Sequence, residues 1–282
     1  MNSDVSKLRP RMMSVAYRML GSVVDAEDAV QDAFLRFHTA HEVTSPEGFL
    51  VKTTTRRCID QLRSCRRRQK YIGPWVPEPI ATNAREPNGG LTDSLSQAFL
   101  LMLERLSPTE RAAYLLRVVF DYEYSEIADV LGKTEVHVRQ IVSRAKSRVL
   151  QDIPRFRPER QQADNLAERF IAACREGNVK LVEQLLTEDV EVHSDGGGKV
   201  SAARVVIRGR NRAAKFLAGV FHTKRRDYAM HSATVNGDPG VVFTREGAVV
   251  HVVSVRIEGS VKAVYMTLNP DKLSRWSRAK IE

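Results

Sequence analysis

Residues 125–146, SEIADVLGKTEVHVRQIVSRAK, read as two short helices joined by a tight turn. Small Ala128 sits where the two helices would cross, and Gly132 sits where the turn needs a positive φ. Ile127, Leu131, Val138 and Ile141 have the spacing that would hold the helices together. Thr134 reads as the N-cap of the second helix, which reaches about Leu150. That helix would turn Glu135, His137, Arg139, Gln140, Ser143, Arg144 and Lys146 outward. Its N-terminal part could then enter a major groove, where Arg and Gln read base edges. The plain alternative is a helical hairpin inside a bundle. A helix-turn-helix is preferred because each special position carries the residue type it needs.

Upstream of this motif the chain is helical. Leu8, Met12, Val15, Ala16, Met19 and Leu20 recur at helical spacing until Gly21. A second helix begins near Asp25, where Asp25, Glu27 and Asp28 suit the positive end of a helix dipole. Its buried stripe would be Ala26, Ala29, Val30, Ala33 and Phe37. Ser45-Pro46-Glu47 opens a third helix, expected to run to about Gln69. Its end holds Arg56, Arg57, Arg63, Arg66, Arg67, Arg68 and Lys70 against the single acid Asp60. Such a run can be a solvated helix face, and it gains meaning beside a nucleic-acid-binding motif. Residues 72–90, IGPWVPEPIATNAREPNGG, contain four prolines and three glycines and read as an extended linker. Trp75 between prolines is odd for a passive spacer and should pack on something. Helix resumes near Leu95, and Ser107-Pro108-Thr109-Glu110 is a capping box ahead of a helix over residues 109–120.

Beyond Pro154 and Pro158 the pattern changes. Two short helices fit residues 163–187 and another fits 211–220. Strand-like alternation fills 189–195, 203–208, 228–236, 240–245, 248–257 and 261–268. Gly237, Gly240, Gly247 and Gly259 are read as turns. Helices followed by a meander imply an α+β domain whose curved sheet folds around the helices.

The 282 residues suit two or three domains, and 43% apolar with 28% charged residues is ordinary for a chain that buries real cores. Lys and Arg number 44 against 34 acids, a net charge of +10 that favours polyanionic partners. No run of apolar residues is long enough to cross a membrane, and the N-terminus lacks a secretory layout, so no membrane insertion and a cytoplasmic location are expected. Cys58, Cys65 and Cys174 fit neither a disulfide framework nor a zinc spacing. The seven histidines form no two-ligand motif, so no metal and no cofactor is inferred. The run 194–200, SDGGGKV, is not a phosphate loop: His193 stands where the first glycine belongs and Val200 where Ser or Thr is required. A turn or bulge is preferred. His193 and Asp195 lie two apart on a strand and would face the same side, where they could form an acid–base pair.

With these residues in place, the chain resembles a known family. Residues 8–71, with AYRMLGSVVDAEDAVQDAFLRF and FLVKTTTRRCIDQLRSCRRR, look like region 2 of bacterial extracytoplasmic-function (ECF) sigma factors. Residues 95–150, with LERLSPTERAAYLLRVVFDYEYSEIADVLGKTEVHVRQIVSRAKSRV, look like region 4. Residues 163–273 resemble a SnoaL-like cone, the fold of polyketide cyclases and ketosteroid isomerases. The motifs YIGPWVPEP, DGGGKV and NPDKL narrow the likeness to the ECF group with a fused SnoaL-like extension.

The resemblance implies a multidomain chain: two all-α sigma domains, a region 2 bundle and a region 4 helix-turn-helix, followed by a C-terminal α+β cone. The expected boundaries are 1–71, a linker 72–94, 95–152, a second linker 153–162, and 163–282. It further implies that Asp25, Glu27, Asp28, Gln31 and Asp32 dock on the clamp helices of core RNA polymerase, whose flap would meet region 4. Arg56, Arg57, Asp60, Arg63 and the Arg66–Arg67–Arg68 run would hold the unpaired −10 strand, and the region 4 helix would read the −35 duplex. The sigma factor itself performs no covalent chemistry. The cone has two open readings. In the first it is regulatory: Asp195, Gly196, Gly197, Gly198 and Lys199, with Asn269, Pro270, Asp271, Lys272 and Leu273, would lie near Trp75, Pro77, Glu78 and Pro79 and control the spacing of the two sigma regions. In the second it is an isomerase- or cyclase-like enzyme, or a ligand sensor, using His193 or Asp195. Regulation is preferred because no second catalytic group can be assembled. A small-molecule or protein ligand of the cone stays open. A plain helix-turn-helix repressor would leave the acidic and arginine-rich helices unexplained.

Overall fold

The computed structural model describes residues 5–64, 71–82, 95–149, 159–224 and 227–276. The chain divides into two compact units, Met1–Gln69 with Phe99–Ile153, and Lys70–Ala98 with Pro154–Glu282. Among the described residues no helix is long and apolar enough to cross a membrane.

The first unit is helical. It contains α1 (Arg9–Leu20), α2 (Val23–Thr39) and α3 (Pro46–Ser64), then most of α4 (Gln97–Leu103), α5 (Pro108–Tyr114), α6 (Tyr124–Leu131) and α7 (Glu135–Val149). Gly21 ends α1 in the left-handed region, its N–H donating to the Tyr17 carbonyl. The Ser22 hydroxyl then accepts from the Asp25 N–H at 3.3 Å, so α2 starts at Val23, ahead of the expected Asp25. Ala26, Ala29, Val30 and Ala33 are fully buried as the spacing predicts, and Phe37 is half-buried, edge-on to Phe49 at 5.8 Å. The stretch of the third helix beyond Ser64, with Cys65 and the Arg66–Arg67–Arg68 run, lies outside the described residues.

The capping box forms at Ser107 and Glu110. The helix expected behind it runs without a break from Pro108 to Val119, but its last part, Leu115–Val119, widens into a π-helical turn. The wider turn puts Arg117 within reach of the Tyr122 carbonyl at 3.0 Å and the Asp121 carboxylate at 3.2 Å. Arg111 of α5 is buried and donates to the Met19 carbonyl at 2.7 Å and pairs with Glu104 at 2.9 Å, which ties α5 to the end of α1. Burial pushes its guanidinium down to about 10, so it stays charged near neutrality.

The second unit holds residues 71–82 and 95–98 against an α+β domain. Its elements are α8 (Arg160–Glu176), α9 (Val179–Leu185), β1 (Leu186–Asp195), β2 (Ile207–Arg208), α10 (Arg210–Gly219), β3 (Ala229–Val235), β4 (Asp238–Arg245), β5 (Ala248–Glu258), β6 (Ser260–Thr267) and α11 (Pro270–Leu273). The sheet order is β2-β1-β6-β5-β4-β3, with β1 parallel to β6 and the other pairs antiparallel. All six expected strands exist, the second reduced to two residues. The two short helices expected over 163–187 are instead one long helix, α8, and a short one, α9. Gly240 is not a turn: it lies within β4, and a Cβ there would stand 2.3 Å from the Val253 carbonyl oxygen.

Alternation along the strands separates two faces. Val190, Val192, Val253, Val255, Val264 and Met266 face α8 and α10 in one core, with Phe170, Ile171, Leu217 and Phe221. Val235, Val242 and Val252 face the other way and pack under Leu273 and Trp276. The sheet is thus covered on both faces, the second by the C-terminal segment and the linker.

Candidate nucleic-acid interface and linker clamp

The helix-turn-helix is built as its sequence requires. Gly132 adopts φ 61°, and Ile127, Val138 and Ile141 are buried between α6 and α7. Val130, one residue before the expected Leu131, takes the buried place at the end of α6, and Leu131 is half-exposed. The Thr134 hydroxyl accepts from the His137 N–H at 3.4 Å, as an N-cap should. Glu135, His137, Arg139, Gln140, Ser143, Arg144 and Lys146 are all exposed. Two of them already interact, Arg139 with Glu135 one turn earlier.

The acidic residues of α2 share its outer side: Asp28 and Gln31 are exposed, and Asp25, Glu27 and Asp32 are half-exposed. Asp32 faces Arg36 at 3.1 Å and Arg57 of α3 at 3.8 Å. This brings a residue expected to meet polymerase beside one expected to hold DNA.

Of the other arginines of α3, Arg56 meets the helix-turn-helix and Arg63 meets α5. Arg56 donates through Nε to the Val130 carbonyl at 2.8 Å and through Nη2 to the Asp129 carbonyl at 3.1 Å. It therefore sits on the last carbonyls at the C-terminal end of α6, where a cation is favoured. Lys52 reaches the Asp129 carboxylate at 2.7 Å, and Arg63 donates to the Thr109 hydroxyl at 3.3 Å while its other nitrogen lies 3.9 Å from Asp60. Arg56, Asp60 and Arg63 line a cleft of about 240 Å³ with Thr109, Val130, Leu131 and Lys133.

In the second unit the three short motifs come together on the outer face of the sheet. Asp195, fully buried at the end of β1, accepts from the Tyr71 hydroxyl at 2.5 Å, the Val76 N–H at 2.9 Å and the Gly197 N–H at 3.0 Å. Lys272 of α11 pairs with its second oxygen at 2.7 Å and also donates to the Val76 carbonyl. The same ammonium lies over Trp75 at 4.5 Å and Tyr71 at 5.1 Å. Burial, and then the hydrogen bond to Asp195, push the Tyr71 phenol well above its ordinary range. Asn269 caps α11 through the Asp271 N–H and donates to the Tyr71 oxygen at 3.0 Å. Gly197 and Gly198 both have positive φ, and a Cβ would stand 2.3 Å from Asn269 on the first and 2.8 Å from Ile72 on the second. The glycine run is a turn, as preferred, and its lack of side chains admits both neighbours. Pro270 opens α11, Leu273 is buried, and Lys199 and Asp271 form an exposed ion pair at 2.7 Å.

Several residues of this clamp were not among the expected ones. The Asn236 amide accepts from the Ile80 N–H at 2.9 Å and donates to the Leu95 carbonyl at 2.9 Å. Trp276 donates to the Pro79 carbonyl at 2.9 Å, and Gln97 donates to the Pro77 carbonyl at 2.9 Å while accepting from Ser254 at 2.6 Å. Ala81 bridges to Val235, extending the β3 edge. Asn236-Gly237 was legible only as a hairpin turn, and Trp276 only as an aromatic near the end of the chain. Trp75 packs on the Lys272 ammonium, as an aromatic between prolines was expected to pack on something, and Pro77, Glu78 and Pro79 are buried.

His193 and Asp195 do face the same side, and it is the side away from α8 and α10. His193 pairs with Glu191 at 3.0 Å, and Glu191 with Arg208 at 2.8 Å. Hydrogen bonds from His193 and then Arg208 hold the Glu191 carboxyl down at about 2. Asp195 is committed to the clamp, so the two do not form an acid–base pair. Among the described residues no cluster of three or more His, Cys, Asp or Glu could hold a metal.

Comparison with known proteins agrees with this geometry. Family models for Sigma-70 region 2, Sigma-70 region 4 and a SnoaL-like domain match residues 5–68, 96–149 and 167–264. The chain is 34% identical over 290 residues to the ECF RNA polymerase sigma factor SigJ of Mycobacterium tuberculosis, covering 96% of this chain and 93% of that one. It is 27% identical to the probable ECF RNA polymerase sigma factor SigI of the same species, covering 94% and 92%. The crystal structure of the M. tuberculosis SigJ superposes with a TM-score of 0.77 at 30% identity, covering 97% of this chain and 98% of that one. Two helical sigma regions, a SnoaL-like sheet domain and a likeness that runs along nearly the whole sequence lead to one conclusion: the chain belongs to the ECF RNA polymerase sigma factors.

Proposed function

We propose that the protein binds core RNA polymerase and directs promoter-specific initiation, and that the SnoaL-like domain modulates this through the segment joining regions 2 and 4. The acidic side of α2 serves the clamp helices, and region 4 also meets the flap. The arginines of α3 hold the −10 strand, and α7 reads the −35 duplex. Its contribution is binding energy that places polymerase and stabilises melted DNA, with no covalent step, in the cytoplasm where transcription occurs.

The observation that carries the modulating role is the seating of residues 71–82 on the sheet by Asp195, Lys272, Asn236 and Trp276. Fully extended, residues 72–94 could span at most about 80 Å. Fixing the first part of that span to the sheet removes reach that regions 2 and 4 need to engage two separated promoter elements. Arg56 adds a second restraint, since a guanidinium spent on the carbonyls of α6 is withheld from a phosphate. Opening the clamp and exchanging Arg56 onto DNA together describe activation.

The test is transcription in vitro with purified core polymerase on the upstream region of the protein's own gene, comparing the full chain with one ending at Leu268. Transcripts that require the protein, with output differing between the two forms, are expected. Equal output from both forms would overturn the modulating role. Failure of the full chain to bind core polymerase would overturn the sigma role itself.

A further inference from the structure

The exposed face of α7 contains one side chain that is held in place before any DNA arrives. The Arg139 guanidinium lies 4.2 Å from the centroid of the Tyr124 ring, and Glu135 engages one of its terminal nitrogens. Tyr124 is the first residue of α6, the helix that does not carry the base-reading residues. Its ring is itself fixed from the other side of the sequence, because the Arg117 guanidinium lies 5.0 Å from the same centroid. Arg117 in turn is anchored to the Tyr122 carbonyl, Asp121 and Glu123 around the π-helical turn. A chain of contacts thus runs from the end of the α5 segment through Tyr124 to Arg139.

We infer that Tyr124 is a positioning residue for −35 recognition: its ring, together with Glu135, presets the Arg139 guanidinium so that its remaining N–H groups meet one base pair. The inference rests on the reading of α7 as the −35 helix. A free arginine samples many rotamers, and ordering it on the duplex opposes binding. Covering its flat face with an aromatic ring and holding one edge with a carboxylate removes much of that freedom in advance. The outward donors stay available for a bidentate contact with guanine O6 and N7. Tyr124 would touch no base, yet the choice of base at one position would depend on it.

The test uses the full-length protein with core polymerase on a template library randomised across the −35 element, with the transcripts sequenced. Arg139→Ala should flatten the preference at a single position. Tyr124→Leu should weaken the preference at that same position by about two- to fivefold, the range of a half-exposed cation–π contact. Combined with Arg139→Ala it should add nothing there. Tyr124→Phe, which keeps the ring, should retain the wild-type profile and also controls for folding. Should Tyr124→Leu lower output evenly across the library, or act at a different position from Arg139→Ala, the positioning role is overturned while α7 keeps its own. A flat response to Arg139→Ala would instead remove the base-reading assignment and the positioning role with it.

Discussion

Two restraints hold this molecule, and they differ in how much water they see. In the first unit, α3 grips α6 through Lys52–Asp129 and Arg56, with the lysine and aspartate side chains 33% and 68% exposed. Exposed ion pairs of this kind contribute about 0–1 kcal/mol and weaken with salt. In the second unit, Asp195 and Lys272 are 0% and 10% exposed, and their remaining valences are met by backbone groups and aromatic faces. Breaking a buried pair by removing one partner costs about 3–5 kcal/mol, because the other charge stays buried without compensation. The first contact can be exchanged gradually for DNA phosphates. The second is closed to water and cannot be exchanged step by step, which is what the proposed control of the linker by the sheet requires.

The largest expected effect follows from that difference. Lys272→Met strands the Asp195 carboxylate and should loosen the clamp by about 3–5 kcal/mol. The chain has two tryptophans, Trp75 and Trp276, and both sit in the clamp, so intrinsic fluorescence reports on it directly. A red-shifted emission is expected, with faster hydrogen exchange at the Val76 and Ile80 amides. Unchanged emission and exchange would mean that the buried pair is dispensable and that the two restraints are alike.

A smaller effect tests whether the latch extends along the linker. Asn236 sits at φ 53° in the turn before β4, and its amide makes the bonds to Ile80 and Leu95. Asn236→Gly keeps the backbone at ease and removes the side-chain bonds to Ile80 and Leu95, a loss of about 1–3 kcal/mol for buried partners left unmet. Exchange should rise at Ile80 and stay unchanged at Val76. If Val76 opens equally, the linker is released as one piece, and the clamp is more cooperative than two separate anchors.

How far these features could be read from the sequence depends on the range of the interactions that make them. The helix-turn-helix was legible because Ala128, Gly132, Thr134 and the apolar positions act within one local motif. The six strands and the capping box at Ser107 were legible for the same reason. The π-helical turn was not, since apolar spacing does not tell a π-turn from an α-turn, and the Arg117 contacts to Tyr122 and Asp121 that go with it are seen only once the chain has turned back. The clamp was legible in part: the likeness to the family put DGGGKV, NPDKL and WVPEP near one another. The three motifs do meet, and the chemistry that joins them was not available. Nothing local says that Asp195 would be spent on Tyr71, Val76 and Lys272 and lost to His193. Nor does anything local distinguish Asn236-Gly237 as an anchor from an ordinary hairpin turn. Arg56 was placed on DNA by the resemblance, and its bond to the end of α6 needs the packed unit to be seen.

The smallest effect is expected where the contact is most exposed. Lys52→Ala removes the pair with Asp129 and leaves Arg56 on the α6 carbonyls, so thermal unfolding should show the first unit losing no more than about 1 kcal/mol of stability. Tryptophan emission should not move, because neither tryptophan belongs to that unit. The effect should also vanish at high salt, as screening reaches solvent-exposed charges first. A loss equal to that of Lys272→Met, or one indifferent to salt, would show that α3 and α6 are locked as firmly as the linker is. In that case DNA would have to pull the sigma regions apart itself, and opening the sheet clamp alone would leave the protein closed.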